Sequence, residues 1–294
     1  MAGLEIHALS ELRDEARALL ADRYARQRAA EPFLPETDVA VTDEEGVVAT
    51  RGGAAVAFLA GSVKGDIGTV GFAGCAASEP EALRDLYAAL ATQWDVSRFA
   101  VAVPASAEDL IDPFFRLAFG CQFFWSIRDL APVEAPAGFS IRESTPADLR
   151  FFAELEQDLY NLQALHPSSS GLGGEAIEEH EQGWSDLWDD PDLFWSFVAE
   201  RDGEPVGGAI LYRRPMGDLR VPENNVDLAF AATRPHIRGS GAGLALTAHV
   251  LDWARERDFR SMTTDWRSVN LLSSRFWPRR GFRPQYLRMY RAIP

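Results

Sequence analysis

Arg238-Gly239-Ser240-Gly241-Ala242-Gly243 decides how this chain is read. It follows an apolar run, Val226 to Thr233, and opens a helix-patterned stretch, Leu244 to Arg257. A strand, a tight glycine turn and a helix start make a diphosphate site. Glycines let backbone N–H groups approach an anion, and a helix N-terminus adds unpaired donors and a favourable dipole. The stretch predicts an anionic cofactor and, with it, an enzyme.

Two other phosphate loops are excluded by spacing. A dinucleotide Gly-x-Gly-x-x-Gly needs a small residue where Leu244 stands after Gly239 and Gly241, and no acid follows at ribose-contact spacing. A kinase-type P-loop needs Gly-Lys-Ser/Thr, and Lys64 is the only lysine of the chain.

At 294 residues the chain has room for two ordinary domains. A net charge of −15 argues against nucleic acid as a partner. That charge is uneven: from Arg234 to the C-terminus twelve arginines face four acids, so the basic surplus surrounds the glycine loop. No apolar run is long enough to span a bilayer, and the N-terminus lacks a basic region followed by an apolar one. Cys75 and Cys121 make neither a metal-spaced pair nor a disulfide framework, which fits a reducing cytosol and a cytoplasmic protein.

Ala131 to Gly138, with two prolines and no periodicity, reads as a linker that divides the chain into similar halves, 1–132 and 139–294. The second half reads as a strand (Phe139 to Arg142), a capped helix to Tyr160, a flexible loop (His166 to Gly174) and an acidic helix (Glu175 to Trp188). A hairpin across Arg201-Asp202-Gly203-Glu204 follows, then the strand, loop and helix of the opening stretch, a short strand, a short helix (Asn270 to Trp277) and a last strand. The first half repeats this order more faintly. Phe114 to Gly120 and Phe276 to Phe282 each set a short aromatic helix before a glycine turn, so an internal duplication is expected. The first half lacks the glycine loop. Ala76-Ala77-Ser78-Glu79-Pro80 stands in its place, and Glu79 repels phosphate.

The second half resembles the GNAT superfamily, the acyltransferases that use acyl-CoA. Their diphosphate loop runs Gln/Arg-x-x-Gly-x-Gly/Ala, and Arg238, Gly241 and Gly243 fill it. A second signature, Asn-x-x-Ala-x-x-apolar-Tyr-x-x-x-Gly-Phe, is met in register by Asn270, Ser273, Phe276, Trp277, Gly281 and Phe282, with Trp where the family carries Tyr. The resemblance covers about residues 139–294. The first half is similar in element order only. It implies an α/β (α+β) fold of two tandem GNAT-like domains, each a mixed, mostly antiparallel sheet flanked by helices, the N-terminal copy degenerate and without a cofactor loop.

The resemblance also implies a donor, acetyl-CoA or another acyl-CoA. Its binding residues are Ala231, Ala232 and Thr233 on a strand that splays from its neighbour, Arg238, Gly239, Ser240, Gly241, Ala242 and Gly243 in the loop, and Asn270, Ser273, Phe276 and Trp277 beyond it. Acyl transfer to an amine needs a neutral amine, a stabilised oxyanion and a tolerated thiolate. Asp227 and Glu223 are the candidate bases, placed at the mouth of the site. Trp277 cannot give up a proton at neutral pH, so either Tyr286 or Tyr290 substitutes as acid, or none is needed because a CoA thiolate is a tolerable leaving group. His166 and His180 could meet the acceptor from the segment after the first helix, but read more simply as surface residues. Trp184, Trp188, Phe194 and Trp195, among acids Glu178, Glu179, Glu181, Asp186, Asp189 and Asp190, read either as a site for a cationic amine or as the packed side of an amphipathic helix. The expected activity is N-acyl transfer to a small-molecule amine by a monomer or homodimer, without nucleic acid or membrane. The alternative is a non-catalytic acyl-CoA-binding or interaction module.

Overall fold

The computed structural model describes residues 3–43, 45–169, 176–188, 190–215 and 219–293. Ser170 to Gly174 of the expected flexible loop, Glu175 of the expected acidic helix and Asp189 of the acidic group lie outside the described residues. In chain order the elements are β1 (Leu4–Ala8), α1 (Arg13–Ala30), β2 (Glu45–Arg51), β3 (Ala54–Lys64), β4 (Ile67–Val70), β5 (Cys75–Ala77), α2 (Ala82–Trp94), β6 (Arg98–Pro104), α3 (Glu108–Arg116) and β7 (Gly120–Asp129). There follow β8 (Ser140–Glu143), α4 (Leu149–Ala164), α5 (Ile177–Trp184), β9 (Phe194–Arg201), β10 (Glu204–Tyr212), β11 (Asn225–Thr233), α6 (Ala242–Glu256), β12 (Ser261–Arg267), α7 (Ser273–Phe276) and β13 (Arg283–Ala292).

Two compact units result. Unit 1 holds Met1–Ser126, Gly217–Pro222 and Pro284–Pro294; unit 2 holds Ile127–Met216 and Glu223–Arg283. The expected second domain, 139–294, is thus divided in space. Its last strand pairs antiparallel with β6, from Tyr286↔Pro104 to Ala292↔Arg98, and belongs to unit 1. Strand pairing is non-local, so local pattern located β13 but not its partner.

Unit 1 orders its strands β1-β2-β3-β4-β6-β13, with β5 on β3. Only β4–β6 is parallel. Alternate residues of β3 serve opposite faces, as a period of two requires. Phe58 and Ala60 pack with Leu20 and Tyr24 of α1, whereas Ala57 and Leu59 pack with Leu83 and Leu86 of α2. Unit 2 orders its strands β8-β9-β10-β11-β12, again with one parallel pair, β11–β12. Val198 packs under Phe152 and Leu155 of α4, and its neighbour Phe197 meets Trp253 of α6 at 5.6 Å. Each unit is therefore a mixed, mostly antiparallel sheet flanked by helices.

Residues 131–138, read as a linker, are tied to unit 2. Arg128 donates to the Ala131 carbonyl at 2.6 Å and Arg255 to that of Leu130 at 3.2 Å. No helix among the described residues is long and apolar enough to cross a membrane.

Candidate functional site

The site of unit 2 begins where two strands stop pairing. β11 pairs with β10 from Tyr212↔Asp227 to Gly207↔Thr233, and the register skips Ala229. On its other side β11 pairs with β12 only from Asn225↔Ser261 to Asp227↔Thr263. Both strands run on, to Thr233 and Arg267, without further ladder pairs between them. The physical cause lies at the junction. The bulge at Ala229 increases local twist and turns the strand away, and the Thr264 hydroxyl takes the Leu228 carbonyl at 2.9 Å. Ala231, Ala232 and Thr233 thus lie on a stretch of β11 whose β12-facing edge has no ladder partner. Their small side chains leave that edge open to a narrow ligand.

After Thr233 the chain makes one 3-10 turn, Pro235–Ile237, and reaches Gly239 (φ +84°) and Gly241 (φ +108°). Gly241 is the N-cap of α6, and no side chain caps the helix. A Cβ on Gly241 would stand 2.9 Å from Pro136 Cγ, so conformation and contact both demand glycine there. The N–H groups of Leu244 and Ala245 both turn back to the Gly241 carbonyl. The first-turn N–H groups of α6 therefore carry a helix N-terminus's partial positive charge with no capping side chain engaged. Arg238 and Ser240 are exposed on the same loop. Ala242 is buried, and Gly243 lies 3.5 Å (from its ideal Cβ) from Phe276 Cζ.

Asn270 is buried, and its side-chain oxygen accepts from the N–H groups of Leu272 and Ser273 at 3.1 and 3.3 Å. It holds the turn that leads into α7. Ser273 donates to the Asn270 carbonyl. Trp277 is buried between Phe276 and Phe282, at ring separations of 4.8 and 5.3 Å. The Arg280 guanidinium covers the Phe276 ring at 4.1 Å, and Arg275 and Arg279 are exposed beside it.

The candidate acid–base residues are placed less favourably. Asp227 is 4% exposed. Arg214 holds one carboxylate oxygen at 2.8 Å and the Thr263 hydroxyl donates to the other at 2.6 Å. It sits where β11 and β12 are still paired, roughly 13 Å along the strand before Ala231. Glu223 precedes β11 and is exposed, so it stands at the paired end and not at the mouth as expected. Tyr286 requires a correction: it belongs to unit 1, fully buried, with its hydroxyl donating to Gln27 at 3.0 Å and the Phe72 ring edge-on at 4.9 Å. Pairing of β13 with β6 put it there.

α4 spans the opening. Arg234, just past β11, pairs with Glu154 and Asp158, one helical turn apart. Arg267, at the end of β12, donates to Gln163 at 2.9 Å. Glu156, Tyr160 and Gln163 recur at helical spacing and share a different stripe of α4. Glu156 accepts from the Trp184 indole at 2.5 Å and lies 3.2 Å from His180 Nδ1. His180, expected at the surface, is buried against the Tyr160 ring. The four aromatics read together part into two groups. Trp184, Trp188 and Phe194 pack on the α4 face, while Trp195 joins Trp253 and Phe259 beside α6. Glu156 escaped the sequence reading because one acid on an amphipathic helix carries no local signal.

Residues 156–282 match the sequence model of the acetyltransferase (GNAT) family. No curated protein matches the chain. Among solved structures, the GCN5-related N-acetyltransferase of Sphaerobacter thermophilus is similar at 16% identity and a TM-score of 0.61, over 99% of this chain and 96% of that one. A GCN5-related glucosamine N-acetyltransferase region of a fungal multi-domain GH3 β-N-acetylglucosaminidase aligns over 99% of this chain and 38% of its own, at 16% identity and a TM-score of 0.53. These two likenesses concern the fold, and they run the length of the chain. Residues 156–282 thus carry the sequence pattern of the acetyltransferase (GNAT) family, and the chain along its whole length has a fold similar to that of these two structures.

Proposed function

We propose that this tandem GNAT chain is an N-acyltransferase whose unit 2 moves an acetyl group from acetyl-CoA to the amine of a small molecule, by direct attack in a ternary complex. One observation carries the reading. The β11–β12 ladder ends at Asp227/Thr263, and the open edge beyond it leads through one turn to the uncapped start of α6, so an open strand edge and a candidate anion-binding turn are contiguous in the chain.

These residues fit a long thin ligand with a diphosphate. First-turn N–H groups from Gly241 to Gly243 would hold the diphosphate. The unpaired backbone over Ala231 to Thr233 would hold the amide-bearing arm and donate to the thioester oxygen. Arg238 and the exposed arginines near α7 would meet the remaining phosphate. Asn270 shapes the turn opposite. The bound donor supplies an activated acyl carbon and a thiolate leaving group of modest basicity, so no side chain need act as acid, and buried Trp277 is a packing residue. Asp227, held by Arg214 and Thr263, keeps β11 and β12 together below the opening. The reading gives unit 1 no donor site.

The test is calorimetric titration of acetyl-CoA into the full chain and into Gly241→Glu. A side chain at positive φ costs about 1–2 kcal/mol, and the carboxylate repels phosphate besides. Affinity is expected to fall at least ~100-fold, with each tenfold worth about 1.4 kcal/mol. Binding at one site without turnover of any amine would leave the binding-module alternative. No binding at all would overturn the proposal.

A further inference from the structure

Asp227 cannot readily serve an incoming ammonium, because both of its oxygens are engaged where the strands are still paired. The open half of β11 connects to another carboxylate through an aromatic pair. Phe230, next to Ala231, meets the Trp184 ring at 5.7 Å. Trp184 and Ala232 both pack against the cluster formed by Phe152, Leu155, Val198, Ile210 and Phe230. Trp184 Nε1 donates to Glu156 Oε2, and His180 Nδ1 faces the same oxygen. Glu156 Oε1 has no partner among the described residues, and the side chain is 16% exposed. On either side α4 is tied to the ends of β11 and β12 through Arg234 and Arg267. A carboxylate with one oxygen anchored and one open is thus linked through Trp184 and Phe230 to the open half of β11.

We propose that Glu156 binds the acceptor as an ammonium ion and takes its proton, and that His180 and Trp184 are positioning residues that aim it. The acceptor class is then a primary alkylamine, cationic at neutral pH. One N–H proton passes from the ammonium to Glu156 Oε1 and on to water. The freed nitrogen lone pair forms the C–N bond at the thioester carbonyl, the C–S bond breaks, and the second N–H proton ends on the departing sulfur. This inference rests on the amine acyl transfer proposed above.

The experiment compares wild type with Glu156→Gln, a near-isosteric change that can keep the Trp184 hydrogen bond. Benzylamine, an ammonium ion at neutral pH, is set against aniline, which is already neutral. General-base catalysis contributes about 10²–10⁴-fold. Glu156→Gln is expected to lose at least ~100-fold in kcat/KM for benzylamine and less than ~5-fold for aniline. Calorimetry without donor reads the binding part: benzylamine affinity falls at least ~10-fold and aniline affinity is unchanged. His180→Asn should shift the benzylamine-to-aniline ratio the same way by a smaller factor. Unchanged acetyl-CoA affinity in each variant reports an intact fold. Equal losses for both amines, or none, would overturn the role of Glu156 while leaving the acyltransferase reading standing. Failure of wild type to acylate any amine would overturn both.

Discussion

The two units place the same hydrogen bond at the end of the same strand and then part. In unit 1 the Ser78 N–H donates to the Val56 carbonyl; in unit 2 the Arg234 N–H donates to that of Val206. Beyond this anchor, unit 2 has the long turn Arg234 to Gly241, with two glycines at positive φ. Unit 1 has only Ser78 to Glu81, with no glycine, and Glu79 is paired to Arg51 at 2.8 Å. The strands differ as well. β11 runs through to Thr233, but β4 stops at Val70 and turns into β5. In that turn the buried Arg23 guanidinium donates to the carbonyls of Phe72 and Cys75 at 2.7 and 2.6 Å. Unit 1 thus spends, on one of its own side chains, the backbone polarity that unit 2 leaves open. A duplicated fold keeps its core more easily than its site. Packing tolerates many sequences, whereas an anion turn needs particular backbone angles.

The largest effect concerns the number of donor sites. Titration of acetyl-CoA should give one site per chain, and Gly241→Glu should remove it. A second site, surviving in Gly241→Glu, would break the contrast between the units. Next comes Arg23→Met. Its loss strands two buried carbonyls at about 1–3 kcal/mol each, so thermal or denaturant unfolding should show a loss of about 2–6 kcal/mol with donor affinity unchanged. A gain of a second donor site in that variant would sharpen the contrast instead, making Arg23 the single obstruction.

A smaller effect separates the helices that open each unit. Asp148 closes a capping box on the 3-10 turn Pro146–Asp148 that runs into α4, while the 3-10 turn Leu9–Glu11 before α1 has no side-chain cap. The Arg142 guanidinium, more than any other group, holds the Asp148 carboxyl below its ordinary value of 3.8. A depressed carboxyl stabilises the fold fully above its unfolded-state value, and that share is lost as pH falls through the lower folded-state value. Asp148→Asn should cost about 1 kcal/mol at neutral pH, and the difference from wild type should shrink as pH falls below 3.8, as read by unfolding across that range. The smallest effect is chemical. Burial pushes the Cys75 thiol up to about 12, so iodoacetamide should label Cys121 in the native chain and reach Cys75 only on unfolding.

The glycine loop, α6, the hairpin across Asp202-Gly203 and the order of elements were legible because each rests on short-range chemistry. Two positive-φ glycines, a 3.6-residue apolar stripe and Asp202-Gly203 at a hairpin turn act over a few residues. The candidate catalytic residues were less legible. Glu223 and Asp227 are acids near the right strand, but Arg214 and Thr263, which occupy Asp227, approach from other elements. Tyr286 stands on a correctly expected strand whose pairing partner is β6, nearly two hundred residues away in sequence.

The sequence by itself determined the class of fold, the repeated element order and the position of the glycine turn, since those follow from periodicity, glycine placement and local capping. Only the tertiary structure decided where β11 and β12 part, which unit owns β13, and which partners occupy Asp227 and Glu156. Those outcomes depend on strand pairing and on ion pairs between distant segments, and no local pattern encodes the partner of a hydrogen bond.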